Sequence, residues 1–289
     1  MKIIFCCFLF LLFLSCTSGQ QKSSKEQRII SLAPSITEIL YALQLDEKVV
    51  GVTEYCTFPP EVKKKEVVGG LLNPNLEKIA SLRPTLILAT RSNAQLKTKV
   101  RDPNIKIVLL PENSVEDLYF SIDSIAVLNG VQKRAESLIS AIQDSLQKYR
   151  LNRAGSRPEA ILVLGRDPGT TSNIGLSGPG AFINELWEAC GGRNAFADMP
   201  GSFSQVNRED VLSRNPNIII EFKTLPNWNS SMLTGLKKEW QDLQIDAVKK
   251  GNIYVLNGIN FLVPGPRIYL LAREYYKILQ KYHAFKELG

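Results

Sequence analysis

The sequence predicts an α/β fold in two similar lobes joined by a helix, and three observations predict it. First, one motif occurs twice, as Asn75-Leu76-Glu77 with Pro84 and as Asn207-Arg208-Glu209 with Pro216. In each copy a capping-type Asn precedes Glu by two positions, and a Pro seven residues after the Glu opens an apolar run. A short helix stopped by Pro and followed by a buried-type strand is one α/β step, so each half carries that step and one Glu at an equivalent place. Second, apolar strand-like runs alternate with helical patterns in both halves. Third, the middle of the chain has apolar residues at helical spacing only: Leu118, Ile122 and Ile125, then Ala135, Leu138, Ile142, Leu146 and Tyr149.

The elements follow in order. Residues 29–32 read as a strand ending at Ala33-Pro34. Ser35 then reads as the cap of a helix over 36–43, with Glu38 completing a capping box. Strands are predicted at 49–52, 85–89 and 105–110, a loop at 54–60 and a helix at 93–101, with parallel pairing of these strands. The central pattern predicts helices over 114–128 and 131–153, the second about 30 Å long and joining the halves. A rod of this kind restricts how far two lobes can close. The second lobe starts with a strand at 160–164. Residues 166–180, rich in Gly, Thr and Ser, read as a loop before a helix near Ala181, either a plain surface loop or a source of backbone N–H contacts to a ligand. The resulting division is 1–15, 16–27, a first lobe at 28–128, the linking helix at 129–155 and a second lobe at 156–289.

Residues 3–14 form an apolar stretch behind Lys2, too short to span a bilayer and suited to a secretory signal. Ser15-Cys16 closes it in the pattern at which bacterial lipoproteins are cleaved and lipidated, so Cys16 is the expected lipid site. The polar stretch up to Gln27 is the expected tether. This places a folded body in the periplasm or cell envelope, held to a membrane through a lipid anchor only. Plain secretion is the competing reading.

Composition removes several classes. With 44% hydrophobic and 22% charged residues the chain is globular and long enough for two lobes of about 120 residues each. A formal charge of +7 comes with Lys clusters at 63–65, 237–238 and 249–250 that lack the interleaved aromatics of nucleic-acid readers, so no nucleic-acid partner is expected. Cys56 and Cys190 are the cysteines left for the folded body, and His283 is the single histidine. Neither a disulfide framework, a metal site nor a hydrolase triad can be assembled from them. Gly175-Leu176-Ser177-Gly178-Pro179 is spoiled as a nucleophile elbow by Pro179, and phosphate-binding fingerprints do not occur, so no enzyme and no cofactor are expected.

Further motifs lie between these elements: Ser31-Leu32-Ala33-Pro34-Ser35 with Thr37-Glu38, Gly51-Val52-Thr53, Tyr55-Cys56 with Pro59-Pro60, and Gly69-Gly70. The second half adds Cys190-Gly191-Gly192 with Asn194 and Phe196, Gln205-Val206-Asn207, and Pro264-Gly265-Pro266-Arg267-Ile268. In this order and spacing the chain resembles the cobalamin and ferric-siderophore (class III) family of substrate-binding proteins of ABC importers, and within it the vitamin B12-binding members most. The resemblance implies two Rossmann-like lobes joined by one long backbone helix, with the ligand cleft between the lobes. It implies that Glu77 and Glu209 each meet an Arg of a twofold permease dimer. Helix capping is the competing role for both.

The resemblance also implies ligand positions: Tyr55 matches an aromatic of the B12-binding members, Phe203 stands where they have Trp, and Leu71 and Thr90 replace two further Trp residues. Ile259 and Val263 replace polar and charged contacts, and Asn260 and Phe261 are rim residues. Tyr276 stands where those members have the Cys that pairs with the counterpart of Cys190, so Cys190 is expected as a buried free thiol. The ligand implied is cobalamin or a related corrinoid, with a ferric siderophore or haem as the alternative.

Overall fold

Ile29, Ile30 and Ser31 are wholly buried and form β1 (Ile29–Ser31), the central strand of the first sheet. The structure is a computed structural model that describes residues 27–150 and 157–287. The expected signal, the lipid site Cys16 and the tether up to residue 26 therefore lie outside the described residues.

From β1 the chain runs through α1 (Pro34–Ala42), β2 (Val49–Val52), β3 (Glu66–Val67), α2 (Leu76–Ser81), β4 (Leu86–Thr90), α3 (Leu96–Lys99) and β5 (Lys106–Leu110). The strands form one parallel sheet in the order β3-β2-β1-β4-β5. Such a sheet must be covered on both faces. One face packs on α1 and α4 (Val115–Asn129), and the other on a separate cluster that includes Ile79 and Leu96. Two local expectations are corrected here. α1 is entered through Pro34 at its first position with Ala33 as N-cap, so Ser35 lies inside the helix, makes no cap, and leaves Glu38 free for another partner. The helix expected at 93–101 is a 3₁₀ turn over Arg91–Asn93 followed by the single turn of α3.

α4 begins with a closed capping box between Ser114 and Asp117 and ends at Gly130, whose left-handed φ of 69° turns the chain into α5 (Gln132–Gln147). α5 rises about 24 Å. It ends before the expected boundary, and residues 151–156 are outside the description. Arg134 near its start donates to the Leu43 and Gln44 carbonyls of the first lobe, while Tyr149 just beyond its end meets Tyr276 of the second at 5.9 Å between centroids.

The second lobe comprises β6 (Glu159–Gly165), β7 (Ile174–Ser177), α6 (Phe182–Ala189), β8 (Arg193–Asn194), β9 (Phe203–Val206), α7 (Arg208–Arg214), β10 (Ile218–Lys223), α8 (Ser230–Lys238), α9 (Asp246–Lys249), β11 (Ile253–Asn257) and α10 (Tyr269–Glu287). Its sheet order is β11-β10-β6-β7-β9, with β8 beside β6. Pairing is parallel at β6, β10 and β11 but antiparallel on both sides of β7, and the reading of 166–180 as a loop is corrected there. The reason is local: the stretch read as a loop at 166–180 contains β7, which returns directly along β6 without a crossover helix.

A single apolar core runs through both lobes, from Ile36 and Leu40 of α1 through Ile122 of α4 and Ile142 of α5 to Trp187 of α6 and Tyr275 of α10. Across the junction the Phe182 amide donates to the Asn113 carbonyl at 2.6 Å, and the Val115 amide to Glu185 Oε2 at 2.7 Å. A close-packed core shared by both lobes opposes wide hinge motion.

Candidate ligand cleft and paired rim carboxylates

A cavity of about 240 Å³ opens between the lobes. Its first wall is Ala33-Pro34-Ser35 after β1, Tyr55 after β2, Leu71 after β3 and Glu112 after β5; its second is Ile259 and Leu262-Val263-Pro264 after β11. Every lining segment follows the carboxyl end of a parallel strand, where open α/β sheets place their ligands.

The first wall is fixed by buried polar contacts. Cys56 Sγ accepts from the Thr37 hydroxyl at 3.1 Å and shares a hydrogen bond with the Thr53 hydroxyl at 3.2 Å, which pins the turn that presents Tyr55. Burial pushes the Cys56 thiol up, so it acts as an inert anchor. The Tyr55 ring is 51% exposed and free to face a ligand. The Leu71 segment is held by Asn93, wholly buried, whose Nδ2 donates to the Leu71 carbonyl at 2.7 Å. Gly69, at a φ of 98°, makes the preceding bend that L-residues resist. Thr90 lies beneath this wall and is 1% exposed; its hydroxyl meets Ser92 at 2.6 Å and supports the Glu112 carboxyl. Burial pushes the Glu112 carboxyl up, with the Thr90 hydrogen bond opposing.

The second wall is apolar. It leads into Gly265, where an added Cβ would sit 2.9 Å from Glu38 Oε2. Beyond it Arg267 binds Glu38 with two parallel hydrogen bonds, Nη2 to Oε1 at 2.6 Å and Nε to Oε2 at 2.9 Å. The guanidinium also lies 3.6 Å over the Phe58 ring. This pair ties the lobes together and leaves Arg267 with no unbalanced charge for a ligand. Sequence reasoning missed it, although Pro34 directly before Ser35 was the available signal that Glu38 does not close a capping box.

Of the other expected ligand residues, Asn260 and Phe261 share the 3₁₀ turn with Ile259 but do not line the cavity, and Phe261 packs against the shared core. Phe203 opens the edge strand β9, paired with Ser177, 66% exposed and outside the cavity lining. The 166–173 segment does not face a ligand through Arg166: that side chain is buried, bonded to Glu221 through Nε at 2.9 Å and Nη2 at 3.2 Å. Cys190 is buried and free, its thiol pushed up to about 12 by burial. Among the described residues no group of three or more His, Cys, Asp and Glu side chains could hold a metal ion.

Glu77 and Glu209 each occupy the second position of their helices, α2 and α7, and both are exposed. Neither does the capping. Asn75 Oδ1 accepts from the Lys78 amide at 2.9 Å; Asn207 Oδ1 accepts from the Asp210 amide at 2.8 Å, and Asp210 closes the box. Among the described residues neither glutamate has an ion-pair or hydrogen-bond partner. β3 and β9 run towards the cleft edge of their sheets, so the helices that follow start on that edge, and one free carboxylate stands on each side of the cleft.

Comparison with known proteins agrees with this geometry. The periplasmic binding protein family profile matches residues 29–259. A vitamin B12-binding protein of Pectobacterium carotovorum is 32% identical over 280 residues, covering 95% of this chain and 94% of that protein. The ABC transporter substrate-binding lipoprotein YvrC of Bacillus subtilis is 31% identical over 262 residues, covering 87% and 80%. Among solved structures, a possible iron-binding periplasmic solute-binding protein from Staphylococcus epidermidis superposes with a TM-score of 0.74 at 28% identity, covering 88% of this chain and 98% of that one.

Proposed function

The chain belongs to the periplasmic binding protein family and is the substrate-binding component of an ABC importer, and we propose on that premise that its cargo is cobalamin or a related corrinoid. The observation that carries this is the charge of the cleft. Its lining is apolar apart from Ser35, the Tyr55 phenol and the Glu112 carboxyl; no cation lines it, and Arg267, beyond Gly265, is held by Glu38. Haem propionates and anionic iron chelates need a cation there and would meet a carboxyl. A corrin ring edged with neutral amides supplies hydrogen-bond donors to Glu112 and apolar surface to the opposite wall. Pockets that enclose a whole ligand usually exceed about 300 Å³, so a cargo of this size extends across the mouth, where Leu72 and Ile259 are exposed beside Tyr55.

Glu77 and Glu209 support a docking role, one carboxylate per lobe matched to a twofold permease. As exposed pairs they contribute about 0.2–1 kcal/mol each, and set register more than affinity. Cys16 is proposed as the lipid site. The alternative cargo, a ferric siderophore or haem, is favoured by the exposed Tyr55 phenol as an oxygen ligand and by the likeness to the Staphylococcus protein.

Purified protein mixed with cyanocobalamin is expected to carry the red ligand through gel filtration at one per chain. Failure to retain it, with tight uptake of haemin or a ferric chelate, transfers the assignment to the alternative.

A further inference from the structure

A groove of about 920 Å³ lies towards the opposite edge of the first sheet from the cleft. It is lined where the chain enters β1, β4 and β5, by Arg28, Thr85 and Ile105, and it runs along α2 from Leu76 and past the end of α3. Four cations line it, Arg28, Arg83, Lys99 and Arg101, against one carboxylate, Asp102. Asp102 is exposed, and its Oδ1 accepts from both the amide and the side chain of Asn104 at 2.9 Å. Arg28 is structural, donating to the Leu82 carbonyl through Nε and Nη2. Arg83, Lys99 and Arg101 are exposed and, among the described residues, have no carboxylate within ion-pair distance. Lys106, exposed at the start of β5, extends the same edge.

What distinguishes this patch from an ordinary solvated face is its place on the chain. Arg28 is the point at which residues 17–27, the stretch between Cys16 and the fold, reach the body. Eleven residues stand between Cys16 and Arg28, and a chain of that length can reach no further than about 40 Å. That stretch carries Lys22 and Lys25 against Glu26. A basic edge at the root of a short lipid leash is kept within reach of the bilayer surface at high effective concentration, where clustered Lys and Arg bind anionic headgroups.

We infer that this edge of the first lobe, carried by Arg83, Lys99 and Arg101 around the chain entry at Arg28, is a docking surface for an anionic lipid bilayer. Held this way, the body stands on its outer end with the cleft, at the far edge of the same sheet, open to cargo. The inference rests on the lipid-anchored reading but not on the identity of the cargo.

The test uses the chain from residue 16 onward with Cys16→Ser, so that no acyl chain contributes, and vesicles of phosphatidylcholine with one quarter phosphatidylglycerol. Cosedimentation is expected with these vesicles, not with phosphatidylcholine alone, and to be lost in half-molar salt. Arg83→Glu, Lys99→Glu and Arg101→Glu together should weaken binding by roughly five-fold per cation removed, while Lys237→Glu, Lys238→Glu and Lys249→Glu on the other lobe should change it little. Equal loss in both triple variants, or no binding by the parent protein, overturns the inference. Saturable binding of inorganic phosphate without vesicle binding also overturns it. An unmodified Cys16 by mass spectrometry of the cell-made protein would instead remove the anchor, and cyanocobalamin retention reports on the cargo independently of both.

Discussion

The two lobes share one step and differ around it. In each, a helix capped by Asn presents a free Glu at the cleft edge, yet the first sheet is wholly parallel and the second turns back on itself at β7. Their electrostatics differ as well. The second lobe buries Arg166 against Glu221, with Lys223 and the Trp240 indole on the same carboxylate and the guanidinium 5.0 Å over the Trp240 ring. In the first lobe the ion pair of Lys78 with Glu66 lies at the surface. At the cleft the contrast reverses: polar side chains line the first wall, and apolar ones the second. What persists in both lobes is the placement of the rim carboxylate, although the sheets beneath it differ.

The largest effect expected from breaking this contrast is on the buried network. Arg166→Met leaves Glu221 buried and short of its main partner, and should cost about 3–5 kcal/mol in urea unfolding, whereas Lys78→Met should cost under about 1 kcal/mol. Comparable losses would show that the lobes are not stabilised differently. Next is the tie between the lobes. Arg267→Ala should cost about 2–4 kcal/mol by leaving Glu38 buried alone, and the deficit should shrink as pH falls and the Glu38 carboxyl takes up a proton. A deficit independent of pH would mean that lost packing on Phe58 dominates.

Smaller effects sharpen the comparison. Asn75→Ala and Asn207→Ala should each cost about 1 kcal/mol, and neither Glu77→Ala nor Glu209→Ala should approach that, because the asparagines do the capping. The smallest concerns Glu112. Its carboxyl is raised in the folded protein, so the fold binds more protons than the unfolded chain above the ordinary value of 4.5, and this group's contribution falls as pH rises through that window. Without cargo, Glu112→Gln should therefore raise Tm slightly at neutral pH, with the gain vanishing below the ordinary carboxyl range. A gain that persists in acid would mean that the side chain is not titrating as described.

What was legible in the sequence was local. Asn75 and Asn207 with their prolines marked the two helix-to-strand steps, and the period of Leu118, Ile122 and Ala135 marked the central helices. The Cys190 thiol, expected free and buried, is so. Contacts set by distance in the chain were not legible. Glu38 and Arg267 are 229 positions apart, and nothing near Ser35 announces the guanidinium that draws the carboxylate away from the helix end. β7 is only four residues long, and its Gly and Ser resemble a loop until β6 and β9 supply partners on both sides. Thr90 and Phe203 share the same origin of difficulty: strand register decides that one lies under the wall and the other at the start of an edge strand.

The most direct measurement pairs cargo affinity with uptake for a Glu77→Arg, Glu209→Arg double variant. The account predicts unchanged affinity for cargo in the purified protein and uptake abolished in cells that depend on it. Loss of affinity equal to the loss of uptake, or uptake at the parent level, would contradict the claim that the two lobes offer matched carboxylates to a twofold partner.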